Sequence, residues 1–137
     1  MLTSDTTDKL RVLVVDDEPD LTTIMKTGLE ANGFGVDAFN NPILALSQFK
    51  PDYYAAIILD VRMAEMTGFE LAKEIWAIDQ DASICFLSAY EIYENVMTTT
   101  FHNFKRHCFL KKPIMISALT QHIQAHLLSV QTTSPPQ

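Results

Sequence analysis

Asp16, Asp17 and Asp60 are carboxylates that directly follow apolar runs, VLVV at 12–15 and AIIL at 56–59. Ser88 follows ICFL at 84–87, and Lys112 follows CFLK at 108–111. Each run is too short for a buried helix and rich in β-branched and aromatic residues, which suits a fully buried strand. In an open parallel sheet the carboxyl ends of the strands line one edge, where ligands bind. Three aspartates, a serine and a lysine are therefore expected in one pocket.

Three carboxylates within a few ångströms of one another repel, and their protons are held more tightly unless a cation joins them. Magnesium meets that need, with manganese as the substitute: it takes a few carboxylate oxygens, keeps several waters and bridges to a phosphoryl group. The alternative for Asp16 and Asp17 is helix capping, which accounts for one of them and leaves the other unexplained. Flavin and nucleotide phosphates bind loops with glycines and free backbone N–H groups, and DDEPD at 16–20 would repel a bare phosphate. Phosphate can enter such a pocket only with metal.

Segments of helical spacing separate the runs. Leu21, Ile24, Met25, Gly28 and Leu29 recur at three and four, with Pro19 in the first turn and Gly33 as the C-terminal cap. Phe34 to Phe39 alternates as a short edge strand, and Asn41-Pro42 opens a second helix to about Gln48. Met66 to Ile78 places Phe69, Ala72, Ile75 and Ile78 on one side; Ile116, Leu119, Ile123 and Leu127 do so for the last helix. The segment Tyr90 to Asn103 holds Thr98, Thr99 and Thr100 together, so its helix should be intrinsically weak. The alternation predicts an α/β fold: a five-stranded parallel sheet of order 2-1-3-4-5 with helices on both faces. Residues 1–9 read as a polar tail, 10–129 as one domain, and 130–137 (VQTTSPPQ) as a disordered tail or linker stub.

The chain carries 17 acidic and 10 basic residues, for a net charge of −7. This balance argues against direct nucleic-acid binding, which concentrates positive charge. No apolar run approaches a membrane span, and the polar start MLTSDTTDK lacks the core of a secretory signal. A cytoplasmic location is expected, and with it reduced thiols at Cys85 and Cys108, read as small core residues on adjacent strands. His122 and His126 stand one helical turn apart with no carboxylate or cysteine beside them in sequence, and read as surface or partner contacts.

The ordered set Asp16-Asp17, Asp60, Ser88 and Lys112-Pro113, with DVRMAEMTG at 60–68, resembles the receiver domain of two-component response regulators over about Arg11 to Leu128. The resemblance implies a flavodoxin-like (βα)5 fold, a histidine kinase or phosphotransfer protein as phosphoryl donor, and phosphorylation on Asp60. It also implies that Asp17, Asp60 and the Arg62 carbonyl hold magnesium, with Asp16 acting mostly through water. Lys112 and Ser88 would serve the phosphoryl oxygens, and the Lys112-Pro113 bond would be cis. By the same resemblance Ser88 and Phe109 form the switch. Output would pass to a downstream partner through the fourth helical segment, the fifth strand and the last helix, roughly Tyr90 to His126, or through a phosphorylation-dependent dimer.

The sequence departs from the pattern in places. Ala64 stands where the family usually has proline, and HNFKRHC at 102–108 replaces a small glycine-alanine turn, with Asn103 as the candidate left-handed cap. Arg62 and Tyr90, each two residues beyond a site residue, are bulky groups expected to slow hydrolysis of the acyl phosphate. Two other readings compete. One is a receiver-like scaffold that works without phosphate, and it would be expected to lack an acidic residue or the lysine. The other is an aspartyl-phosphate hydrolase of the haloacid dehalogenase type, which needs an acid where Arg62 stands.

Overall fold

The computed structural model describes residues 10–89 and 107–132, with side chains as far as residue 125. The expectations placed on 1–9, on the helix at 90–103 with Tyr90 and Asn103, on the His126 side chain and on 133–137 lie outside the described residues; residues 130–132, read as the start of the 130–137 tail, instead continue the last helix to Thr132.

The chain runs β1 (Arg11–Val15), α1 (Pro19–Ala31), β2 (Gly35–Phe39), α2 (Pro42–Ser47), β3 (Ala56–Asp60), α3 (Gly68–Ile78), β4 (Ile84–Ser88), β5 (His107–Lys111) and α4 (Ile116–Thr132). All four strand pairings are parallel, and the sheet order is β2-β1-β3-β4-β5, as the alternation of elements predicts. No helix among the described residues is long and apolar enough to cross a membrane.

Period-two alternation within each strand divides the core into two layers. Leu13, Val15, Ile57, Leu59, Ile84 and Phe86 point to the side covered by α2 and α3, where Leu71, Ile75 and Trp76 are buried. Val12, Val14, Ile58, Cys85 and Leu87 point to the side covered by α1 and α4, against Met25, Leu29, Leu119 and Ile123. Side chains buried this completely each contribute about 1.5–3 kcal/mol relative to exposure. Two positions assigned to the core by spacing are open instead: Ile24 is 54% exposed and Ile78 is 50% exposed. Thr22 and Trp76 are buried in their helices instead. Thr22 is admitted because its hydroxyl donates to the Pro19 carbonyl and accepts from Asn40 Nδ2, and the Trp76 indole donates to the Ala82 carbonyl at 2.9 Å. Internal hydrogen bonds remove the penalty that the spacing rule assigns to such groups.

The helix starts are fixed locally. Asn41 caps α2 by accepting from the Ile43 and Leu44 amides. Thr67 and Glu70 form a capping box at α3. Gly33 takes φ +96° just past α1, a conformation glycine enters without a steric penalty. At the sheet edge remote from the strand carboxyl ends, Arg11 pairs with Asp37, which also accepts from the Tyr54 hydroxyl at 2.8 Å. Burial first, and the adjacent Asp37 second, raise the Tyr54 phenol above its ordinary range, so it stays a donor.

Candidate functional site

Asp16 follows the last residue of β1 and is fully buried, while Asp60 ends β3 and is 6% exposed. Because β1 and β3 are neighbours with Val15 opposite Leu59, the next residue on each chain falls at the same edge. Asn40 Nδ2 donates to the Asp16 carbonyl at 2.8 Å, and the Asp16 amide donates to Phe39, so the β1–α1 turn is pinned to β2. Asp16 Oδ1 accepts from the Glu18 amide at 3.0 Å. This is a local turn bond and not a cap: α1 has Glu18 at its N-cap with no side-chain cap bond, so the capping alternative holds for neither aspartate. Asp17 turns the other way and accepts from the Ala64 amide at 3.1 Å, joining the first loop to the loop after Asp60.

One carboxylate oxygen from each of Asp16, Asp17 and Asp60 lies within 4.8 Å of the other two. Burial, and after it the Asp16 charge, raise the Asp60 carboxyl from 3.8 to about 6, against the opposing pull of Lys112 and the Arg62 amide. Lys112 comes from the turn after β5, whose amide donates to the Ser88 carbonyl at 2.7 Å; its peptide bond to Pro113 is cis. Its ammonium stands 3.0 Å from Asp16 Oδ2, 3.2 Å from Asp60 Oδ1 and 3.7 Å from Glu18 Oε1. Burial works to lower the Lys112 pKa, but the Asp16 and Asp60 carboxylates together outweigh it and hold it above the ordinary value. One lysine cannot neutralise three aspartates. An acidic, oxygen-only set of this kind matches the ligand preference of a hard divalent ion.

The cluster opens into a cavity of about 260 Å³ lined by Asp17, Glu18, Asp60, Arg62, Ala89 and Lys112. Ser88 is buried at the end of β4, next to β3, where Asp60 pairs with Leu87. The structure thus brings Asp16, Asp17, Asp60, Arg62 and Lys112 together, with Ser88 at the same sheet edge. Phe109 lies apart on the α2–α3 face, half-buried and stacked on Phe86 with ring centres 5.4 Å apart.

Three contributions were not foreseen from the sequence, in which Ala64 figured only as a departure from proline. Glu18 reaches the lysine, and Ala64 offers its amide to Asp17. Gly68 packs so closely that a Cβ there would collide with the Asp60 carbonyl, while its amide donates to Val61 at 2.9 Å. Only the last left a readable signal, a glycine directly after the capping threonine. The cysteines require a correction. Cys85 and Cys108 form a disulfide, not free thiols, because parallel register sets them opposite each other with Cα atoms 4.5 Å apart. His122 is likewise not without a cysteine: its Nε2 lies 3.2 Å from Cys108 Sγ.

Comparison with known proteins agrees with this geometry. The chain is 28% identical over 129 residues to the transcriptional regulatory protein RprY of Bacteroides fragilis, covering 93% of this chain and 53% of that one. It spans about half the length of that relative. Among solved structures, a CheY-like response regulator receiver domain protein from Methanospirillum hungatei shares the fold with a TM-score of 0.77 at 18% identity, over 91% of this chain and 98% of that one. The response regulator TrrA of Thermotoga maritima, solved in complex with Mg2+ and BeF, matches with a TM-score of 0.71 at 28% identity, over 85% and 98% of the two chains. The family model for the response regulator receiver domain matches residues 12–124, and the chain belongs to that family.

Proposed function

We propose that this receiver accepts a phosphoryl group on Asp60 from the phosphohistidine of a histidine kinase or phosphotransfer protein. One observation carries the reading: the Lys112 ammonium is held between Asp16 and Asp60 at 3.0 and 3.2 Å, at the mouth of a cavity that Asp17 also lines. An Asp60 oxygen attacks phosphorus, the N–P bond breaks, and the imidazole leaves with the electron pair. In such transfers the protein chiefly positions groups and neutralises charge on the equatorial oxygens. Lys112 neutralises one of them and the Ser88 hydroxyl donates to another. Asp16, Asp17, Asp60 and the Arg62 carbonyl would hold magnesium, or manganese in its place, which supplies positive charge to the incoming phosphoryl group when bound. A cytoplasmic location and a domain spanning 10–129 accompany the reading, with output to a downstream partner by way of Ser88 and Phe109.

Incubation with magnesium and acetyl phosphate should give an acid-stable, base-labile adduct on Asp60 and none in Asp60→Asn. An intact magnesium-loaded protein that forms no adduct would establish the scaffold reading instead. The scaffold is disfavoured because every acidic group and the lysine are present and assembled.

A further inference from the structure

Outside the phosphoryl pocket the described residues contain a second cluster of reactive groups. Cys85 on β4 and Cys108 on β5 are bonded across the α1–α4 face of the sheet. Cys85 is 4% exposed and sealed in the core, whereas Cys108 lies on the edge strand and is only partly covered. His122, on α4, places its Nε2 3.2 Å from Cys108 Sγ, and one ligand atom of each of the three residues lies within 4.8 Å of the others. The two sulfurs therefore differ in access, the division of labour expected of a reacting and a resolving cysteine.

We propose that Cys85, Cys108 and His122 form a reversible thiol–disulfide site, oxidised by peroxide and reduced by a dithiol. In oxidation, the His122 imidazole takes the Cys108 proton and the thiolate sulfur attacks one peroxide oxygen. The O–O bond breaks, and the departing hydroxide takes that proton as water, leaving Cys108 as a sulfenic acid. The Cys85 sulfur then attacks Cys108, the S–O bond breaks and a second water leaves with the Cys85 proton. Two thiols and one peroxide become one disulfide and two waters. In reduction a dithiol sulfur attacks the accessible Cys108, Cys85 leaves as thiolate, and the second sulfur of the reductant releases Cys108. The reductant becomes a disulfide, and its two protons end on the cysteines.

The state of this bond decides whether β4 and β5 are covalently joined. They are the strands whose far ends carry Ser88 and Lys111, opposite each other in register three residues on.

The test uses the full chain and needs no phosphorylation, so its failure is distinct from failure of the receiver reading. Protein reduced with dithiothreitol and freed of it should lose both maleimide-reactive thiols together on stoichiometric hydrogen peroxide, and regain both on fresh dithiothreitol. Dimedone added early should tag Cys108 in the wild-type chain, and Cys85→Ser should accumulate that tag. His122→Gln should slow thiol loss by roughly a hundredfold and leave the final disulfide intact. Backbone amides of β5 should exchange more slowly in the oxidised form. Thiols that survive the peroxide, dimedone found on Cys85, or a reduced protein whose cysteines are instead occupied by stoichiometric Zn2+ would each overturn the proposal. The wild-type dimedone map keeps it falsifiable even if a variant misfolds.

Discussion

Lys112 Nζ stands 3.0 Å from Asp16 Oδ2, an oxygen belonging to a wholly buried carboxylate. A charge that deep is tolerated only with a partner. Lys112→Met should therefore destabilise the metal-free protein by about 3 kcal/mol, read by urea unfolding in chelator at neutral pH. Added magnesium should restore part of the loss, since the ion replaces some of the missing positive charge. The same variant should form acyl phosphate far more slowly even with magnesium present.

Asp60 gives the opposite sign. Its native pKa of about 6 lies above the ordinary 3.8, so the folded protein binds this proton more tightly than the unfolded chain. The contribution favours the fold below 3.8 and is lost as pH rises through 6. Asp60→Asn removes a crowded charge and should raise the melting temperature at neutral pH in chelator by a few degrees, about 1 kcal/mol. The gain should fade at pH values below the ordinary carboxylate range, and a variant no more stable than wild type at neutral pH would contradict this electrostatic account.

Gly68 touches the Asp60 carbonyl from the start of α3. Gly68→Ala should force the 61–67 loop outward, costing about 1–3 kcal/mol. It should also slow acyl phosphate formation at fixed magnesium, because Ala64 and Asp17 lose their alignment. Asn41→Ala supplies the contrast: it removes the α2 cap at a cost of about 1 kcal/mol and should leave the phosphorylation rate unchanged.

Arg62 lines the cavity beside Asp60. Arg62→Asn should shorten the lifetime of the acyl phosphate by opening the approach of water, measured as phosphate release from purified adduct in magnesium. An unchanged lifetime would mean that Arg62 does not screen that approach.

The strand positions were legible because uninterrupted apolar runs admit few alternatives, the βα alternation made the sheet parallel, and the contrast of fully apolar with alternating runs told centre from edge; the aspartates ending two of those runs made the pocket readable in outline. Periodicity failed where a polar group found a private partner. Thr22 enters the core because Asn40 and Pro19 satisfy its hydroxyl, and Ile24 turns outward as a result. Glu18 and the Ala64 amide were hidden because their contacts span loops whose conformation no spacing rule specifies. Cellular compartment predicts reduced cysteines, whereas the strand register decides which atoms meet.

The Arg11, Asp37 and Tyr54 network lies at the opposite end of the strands from the phosphoryl pocket and ties β1, β2 and the segment entering β3 together. The Ala55 amide, donating to the Arg11 carbonyl at 2.8 Å, adds a backbone stitch there. The sheet is thus stitched at both ends, by this network at one and by the Asn40 and Asp16 bonds to β1 and β2 at the other. Tyr54→Phe removes one of these stitches, worth about 1 kcal/mol, and touches no residue of the pocket. Stability and chemistry therefore occupy opposite ends of the same strands.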